Sequence, residues 1–124
     1  MNNNDLMDEA RLASENAIAN RSGIKVGCAI EDELGGIYIG WNIEGLWQTS
    51  LHAEVSAISR MRFSDIRKIK RIAIYAENVD FTPCGACLDW LMMFSDKNTM
   101  LITNNGKKEK GYFITKLYPA YPIL

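Results

Sequence analysis

The chain has 124 residues, 48% hydrophobic and 23% charged, which is the size and composition of one packed domain over 1–124 and excludes a disordered chain. Its formal net charge of −1 provides no overall field to gather a polynucleotide, so a small-molecule partner is expected and nucleic acid is not. No apolar run reaches the roughly 18 residues of a membrane span, and Met1-Asn2-Asn3-Asn4-Asp5 lacks the basic start of a secretory signal, so the cytosol is the expected address.

From Asp5 to Asn20, apolar residues at Leu6, Ala10, Ala13, Ala17 and Ile18 recur at helical spacing until Arg21-Ser22-Gly23 breaks the pattern. Ile24 to Glu31 and Ile37 to Ile43 are rich in β-branched and aromatic residues, and Asp32-Glu33-Leu34-Gly35-Gly36 between them predicts a hairpin. A second helix is expected from His52 to about Phe63, with Thr49 and Ser50 as capping candidates. Arg71 to Ala76 reads as a strand, and Pro83 introduces a helix from Cys84 to Phe94. Met100 to Thr103 and Tyr112 to Thr115 read as strands joined across Asn104 to Glu109, where Asn105-Gly106 favours a turn. This order implies an α/β fold, a mixed sheet of about five strands with helices packed on it. Arg60, Arg62, Arg67, Lys68, Lys70 and Arg71 form the one basic stretch, read as a solvated helix end and loop, with a local phosphate patch as the alternative.

Three cysteines are an odd number, and two stand as Cys84-Gly-Ala-Cys87, a spacing typical of metal or redox sites and of reduced thiols. At a helix start the two thiolates face one way and are favoured by the helix dipole. By itself that spacing fits a zinc site and a thioredoxin-like redox pair equally. His52 is the only histidine, and on its own it reads as a partly buried structural side chain. In His52-Ala53-Glu54 it acquires a carboxylate placed to move protons beside a metal without binding it. His52, Cys84 and Cys87 make three ligands, and three leave a coordination place for water where a structural zinc would close four. Cys28, within the apolar run Val26-Gly27-Cys28-Ala29-Ile30, is expected in the core and not on the metal.

The order His52-x-Glu54, a gap, then Pro83-Cys84-Gly85-Ala86-Cys87 is the signature of zinc-dependent deaminases. Together with Asn42-Ile43-Glu44, with Ser22 to Ala29 and with Leu117-Tyr-Pro-Ala-Tyr121, it makes nearly the whole chain resemble the small cytidine deaminase family. That resemblance implies a three-layer fold with a five-stranded sheet between helices, one Zn²⁺ per chain, and hydrolysis of cytidine or 2′-deoxycytidine with release of ammonia. It implies that Asn42 and Glu44 bind the sugar hydroxyl, that the Ala53 N–H holds the ring carbonyl, and that the Thr82 carbonyl accepts from the departing amine. It also implies a homo-oligomer, tetramer or dimer, in which neighbours complete each pocket, with Trp41, Trp47, Tyr118 and Tyr121 as contact or core residues.

Two departures from the family pattern stand out. His52 takes a place where many short members carry Cys, and Val55 follows Glu54 where those members carry Arg; fewer thiolates need no compensating cation. Ile24 stands where a Phe usually faces the pyrimidine, and Gly45-Leu46-Trp47-Gln48 is also unusual, which leaves the substrate open. The alternatives are a free base, a nucleotide, an antibiotic such as blasticidin S, a polynucleotide, or a non-enzymatic zinc or redox module.

Overall fold

Every residue of strand β1 (Val26–Asp32) is buried, because the sheet is covered on both faces where this strand crosses it. The structure, a computed structural model, describes residues 1–47, 49–61 and 68–122. Around β1 stand β2 (Ile37–Trp41), β5 (Ile69–Ala76), β6 (Met100–Asn104) and β7 (Glu109–Phe113), in the order β2-β1-β5-β6-β7. All pairings are antiparallel except β5 with β6, so the sheet is mixed, as expected. The parallel pair is connected through helix α3 (Gly85–Met93), since parallel neighbours need a long crossover. A second sheet of two short strands, β3 (Ile43–Glu44) and β4 (Ser50–Leu51), was not expected from the sequence, whose strands are too brief to show alternation.

Alternation along the strands sorts the core into two layers. Ala29, Ala73 and Ile102 face helix α1 (Asn3–Ser14), which contributes Leu6, Met7 and Ala10. Cys28, Ile30, Ile72, Ile74 and Leu101 face helices α2 (Ala53–Arg60) and α3, which contribute Ala57, Ile58, Leu91 and Met92. Cys28 is therefore a core residue, as its apolar setting implied, and burial followed by the Glu54 charge pushes its thiol pKa well up.

Several boundaries differ from expectation. Helix α1 begins two residues earlier than Asp5, because Asn2 and Asp5 form a capping box, and it ends at Ser14 rather than Asn20. Ala17 and Ile18 are spaced as helix residues, yet Ile18 is drawn into a parallel bridge with Ile43 and donates its N–H to the Asn42 carbonyl. Strand β1 starts at Val26 because the residues ahead of it are bound by a side chain: Asn42 donates from Nδ2 to the Ile24 carbonyl and accepts the Val26 N–H on Oδ1. Thr49 and Ser50 do not cap α2; Ser50 belongs to β4 and His52 is the N-cap. Strand β7 spans Glu109–Phe113, and the residues expected to end it, Ile114 and Thr115, lie in a 3-10 turn whose Ile114 N–H bonds to Thr99. Within the basic stretch, Arg60 lies over the Trp41 ring at 4.4 Å and Arg71 donates to Glu31 at 2.7 Å, so both are structural; Arg62, Phe63 and Arg67 lie outside the described residues.

Two glycines fix how closely the helices approach. A Cβ at Gly27 would run into the Ala10 carbonyl of α1, and one at Gly40 into the Ala57 N and Ala53 O of α2. Gly40→Ala therefore forces α2, and with it the His52 end, off the sheet. The expected cost is about 1–3 kcal/mol, the usual range for overpacking, read as a lower urea midpoint together with weakened zinc retention.

Candidate active site

Two helix starts meet at one point. His52 is the N-cap of α2 and Cys84 the N-cap of α3; both have extended backbones, and neither side chain caps its own helix. Their carbonyls accept the first helical bonds, from Ser56 at 3.0 Å and Leu88 at 2.9 Å, which leaves the imidazole and the thiol free to face each other. Cys87 lies one turn into α3, on the same side as Cys84.

His52 Nδ1 stands 3.2 Å from Cys87 Sγ and 3.5 Å from Cys84 Sγ, and all three donor atoms lie within 4.8 Å of one another. Around a tetrahedral zinc with bonds of about 2.0–2.3 Å, nitrogen and sulfur ligands stand roughly 3.5 Å apart, so the set fits this ion. The surroundings also call for a cation. Glu54 is 0% exposed, and neither carboxylate oxygen accepts from an N–H or O–H among the described residues; the Cys87 thiol is the one donor beside it. Burial raises the Glu54 pKa, and burial followed by the Glu54 charge raises that of the Cys87 thiol. A divalent ion acts in the opposite sense and stabilises both charged forms.

The group opens into a cavity of about 210 Å³ lined by Ile24, Asn42, Glu44, His52, Ala53, Glu54, Thr82 and Cys84. Every site residue expected from the sequence lines it except Cys87, which is buried. Ser22, Val26, Ser50 and Phe81 also line it and were missed. Phe81 lies directly before Thr82-Pro83-Cys84, but nothing in its type or spacing marks it out in the sequence.

At the cavity end formed by β3 and β4, the carboxylate of Glu44 is held in place. Its Oε1 accepts the N–H of Arg21 at 2.9 Å and of Ser22 at 3.0 Å. Ser22, through its hydroxyl and then its N–H, holds the Glu44 pKa below the ordinary carboxylate value, so the group is ionised at neutral pH. Asn42 is committed on both its Oδ1 and one Nδ2 hydrogen, which leaves one amide hydrogen for a ligand.

The family model described as "Cytidine and deoxycytidylate deaminase zinc-binding region" matches residues 1–103. The chain belongs to this deaminase family. It is a zinc-dependent hydrolytic deaminase, with the His52, Cys84 and Cys87 donor set fitting the ion. The deaminase is 30% identical to "Cytidine deaminase" of Sporosarcina psychrophila over 118 residues, 93% of this chain and 87% of that protein. It is 34% identical to "Cytidine deaminase 2" of Arabidopsis thaliana over 99 residues, 74% of this chain, but spans only 29% of that protein. Its fold matches the crystal structure of cytidine deaminase from Burkholderia pseudomallei with a TM-score of 0.84 at 25% identity, covering 98% of this chain and 100% of that one. The three-layer α/β arrangement implied by the sequence resemblance is therefore the one observed.

Proposed function

We propose that this deaminase, organised as one domain over residues 1–124, converts cytidine and 2′-deoxycytidine with water to uridine and 2′-deoxyuridine, releasing ammonia. The observation that carries the reading is the fully buried Glu54 carboxylate, with no N–H or O–H partner among the described residues, beside the His52, Cys84 and Cys87 donors in the cavity wall. A desolvated carboxylate costs stability, and proton transfer at a reacting centre accounts for it.

When bound, zinc supplies the Lewis acidity that makes a water acidic near neutral pH. Glu54 takes one proton from the attacking water and hands it to the ring nitrogen, then takes the second from the hydroxyl so formed on the ring carbon and delivers it to the amine, which leaves as ammonia as the ring carbonyl forms. The Ala53 N–H, on the first residue of α2 and so without an intrahelical acceptor, holds the ring carbonyl, and the Thr82 carbonyl accepts from the departing amine. The Glu44 carboxylate and the remaining Asn42 amide hydrogen bind the sugar hydroxyl, since a polar pair that the ligand covers penalises an analogue lacking that hydroxyl. Ile24 supplies an aliphatic wall.

The convergence of two thiols and one imidazole within 4.8 Å, beside a buried carboxylate, favours this reading over a redox pair, which needs neither His52 nor Glu54. The cavity volume of about 210 Å³ favours a single nucleoside over a polynucleotide. A panel of cytidine, 2′-deoxycytidine, cytosine, deoxycytidylate and blasticidin S, assayed by ammonia release, is expected to show the two nucleosides turned over at least about 100-fold faster than free cytosine. Turnover confined to cytosine, the nucleotide or the antibiotic would overturn the substrate assignment.

Assembly as a homo-oligomer, dimer or tetramer, is part of the same reading. Leu46 and Trp47, 83% and 84% exposed, protrude from the β3–β4 connection beside the cavity, flanked by exposed Ile43 and Leu51, and an apolar tip of this kind is stabilised by a second copy. The other aromatic candidates are engaged within the chain: Trp41 under Arg60, and Tyr118 edge-on to Tyr121 at 5.2 Å. Gln48 lies outside the described residues. Light scattering is expected to return a multiple of 14.0 kDa. Three free cysteines support a reducing cytosolic setting and a role in pyrimidine salvage. No helix among the described residues is long and apolar enough to cross a membrane.

A further inference from the structure

We infer that Phe81 is the stacking platform for the pyrimidine ring and sets how tightly the base is held; this rests on reading the cavity as a cytidine site. Among the described residues lining the cavity, Phe81 supplies the only benzenoid ring. Ile24 and Val26, which also line it, are aliphatic. The polar groups assigned to the base, at Ala53, Glu54 and Thr82, address the edge of a planar heterocycle and leave its faces to apolar partners.

The position of Phe81 is fixed without a ligand. It is half-buried and packs against the core cluster shared by α2 and α3, three residues ahead of the zinc donor Cys84. The connection that carries it is tied to the β6–β7 turn twice. Asn78 donates its N–H to the Asn105 carbonyl at 2.9 Å, and Asn105 Nδ2 donates to Asp80 Oδ1 at 3.1 Å. A ring anchored in this way is ordered before the base arrives, so little conformational freedom is lost on binding.

Stacking of a base on an aromatic side chain is worth roughly 5- to 150-fold in affinity. The test is calorimetric titration of cytidine into the zinc-loaded Glu54→Gln protein, which binds without turnover. In that background Phe81→Leu, which keeps apolar bulk, is expected to weaken cytidine about 10-fold or more, and Phe81→Tyr, which keeps the ring, about 3-fold or less. In the protein with Glu54 intact, Phe81→Leu should weaken uridine several-fold more than 5,6-dihydrouridine, whose saturated ring offers no flat face. Cytidine affinity unchanged by Phe81→Leu, or equal losses for uridine and dihydrouridine, would overturn the stacking role while leaving the proposed activity standing. Absence of cytidine binding in the parent Glu54→Gln protein would overturn both, and the substrate panel reports on the activity independently.

Discussion

Glu54→Gln is expected to lower kcat by at least about 10²–10⁴ while the protein retains one zinc per chain and its fold. Glutamine keeps the volume of a side chain that is 0% exposed, so packing around Ala53, Ala57 and Cys28 is preserved. It cannot accept a proton from water or deliver one to a ring nitrogen. It also replaces a buried carboxylate, whose charge burial disfavours, with a neutral amide, so the variant should be at least as stable as the parent once zinc is stripped from both. Rate is read by ammonia release, metal by elemental analysis, and stability by thermal unfolding after chelation. Near-normal turnover by the zinc-loaded variant would remove Glu54 from the mechanism.

Loss of the metal should have a different signature. Chelation, or Cys87→Ser, is expected to abolish measurable deamination and to lower the melting temperature by on the order of 10 °C, with activity restored by zinc only in the chelated parent. The magnitude follows from linkage: a ligand present at 1,000 times its dissociation constant contributes about 4 kcal/mol to the folded state. The chain should nevertheless stay folded at room temperature without zinc, unlike a zinc finger. Helices α2 and α3 bury Ala57, Ile58, Leu91 and Met92 against the sheet independently of the donor atoms at their starts. Far-UV circular dichroism of the chelated protein checks this, and a collapse of the helical signal would make the site structural instead.

The two variants separate roles that the geometry places within a few ångströms of each other. Cys87 is buried and does not line the cavity, which suits the proposed role of holding the ion, whereas Glu54 lines the cavity, where the proposed mechanism has it carry protons. Substituting Glu54 leaves the metal in place, and substituting Cys87 removes the metal from an otherwise intact proton carrier.

The sequence by itself determined the zinc donor set and the order of the main elements, and it singled out the residues to which the proposed chemistry is assigned. His52, Glu54, Cys84 and Cys87 were legible because metal ligation and proton transfer need particular atoms, and the local spacings H-x-E and C-x-x-C already place them on helix starts. The five main strands were legible for the same local reason, since β-branched runs bounded by turn residues announce themselves over a few positions. Where a boundary was set by a distant partner, local reasoning placed it wrongly. Ile18 carries helical spacing yet pairs with Ile43, the start of β1 is decided by the Asn42 side chain, and Ser50 serves β4 rather than capping α2. Only the tertiary structure decided that Gly27 and Gly40 seat a helix on each face of the hairpin, that Glu44 is held by Arg21 and Ser22, and that Phe81 joins the cavity wall. Such roles depend on which atoms arrive from elsewhere in the chain, and neither residue type nor sequence spacing encodes that arrival.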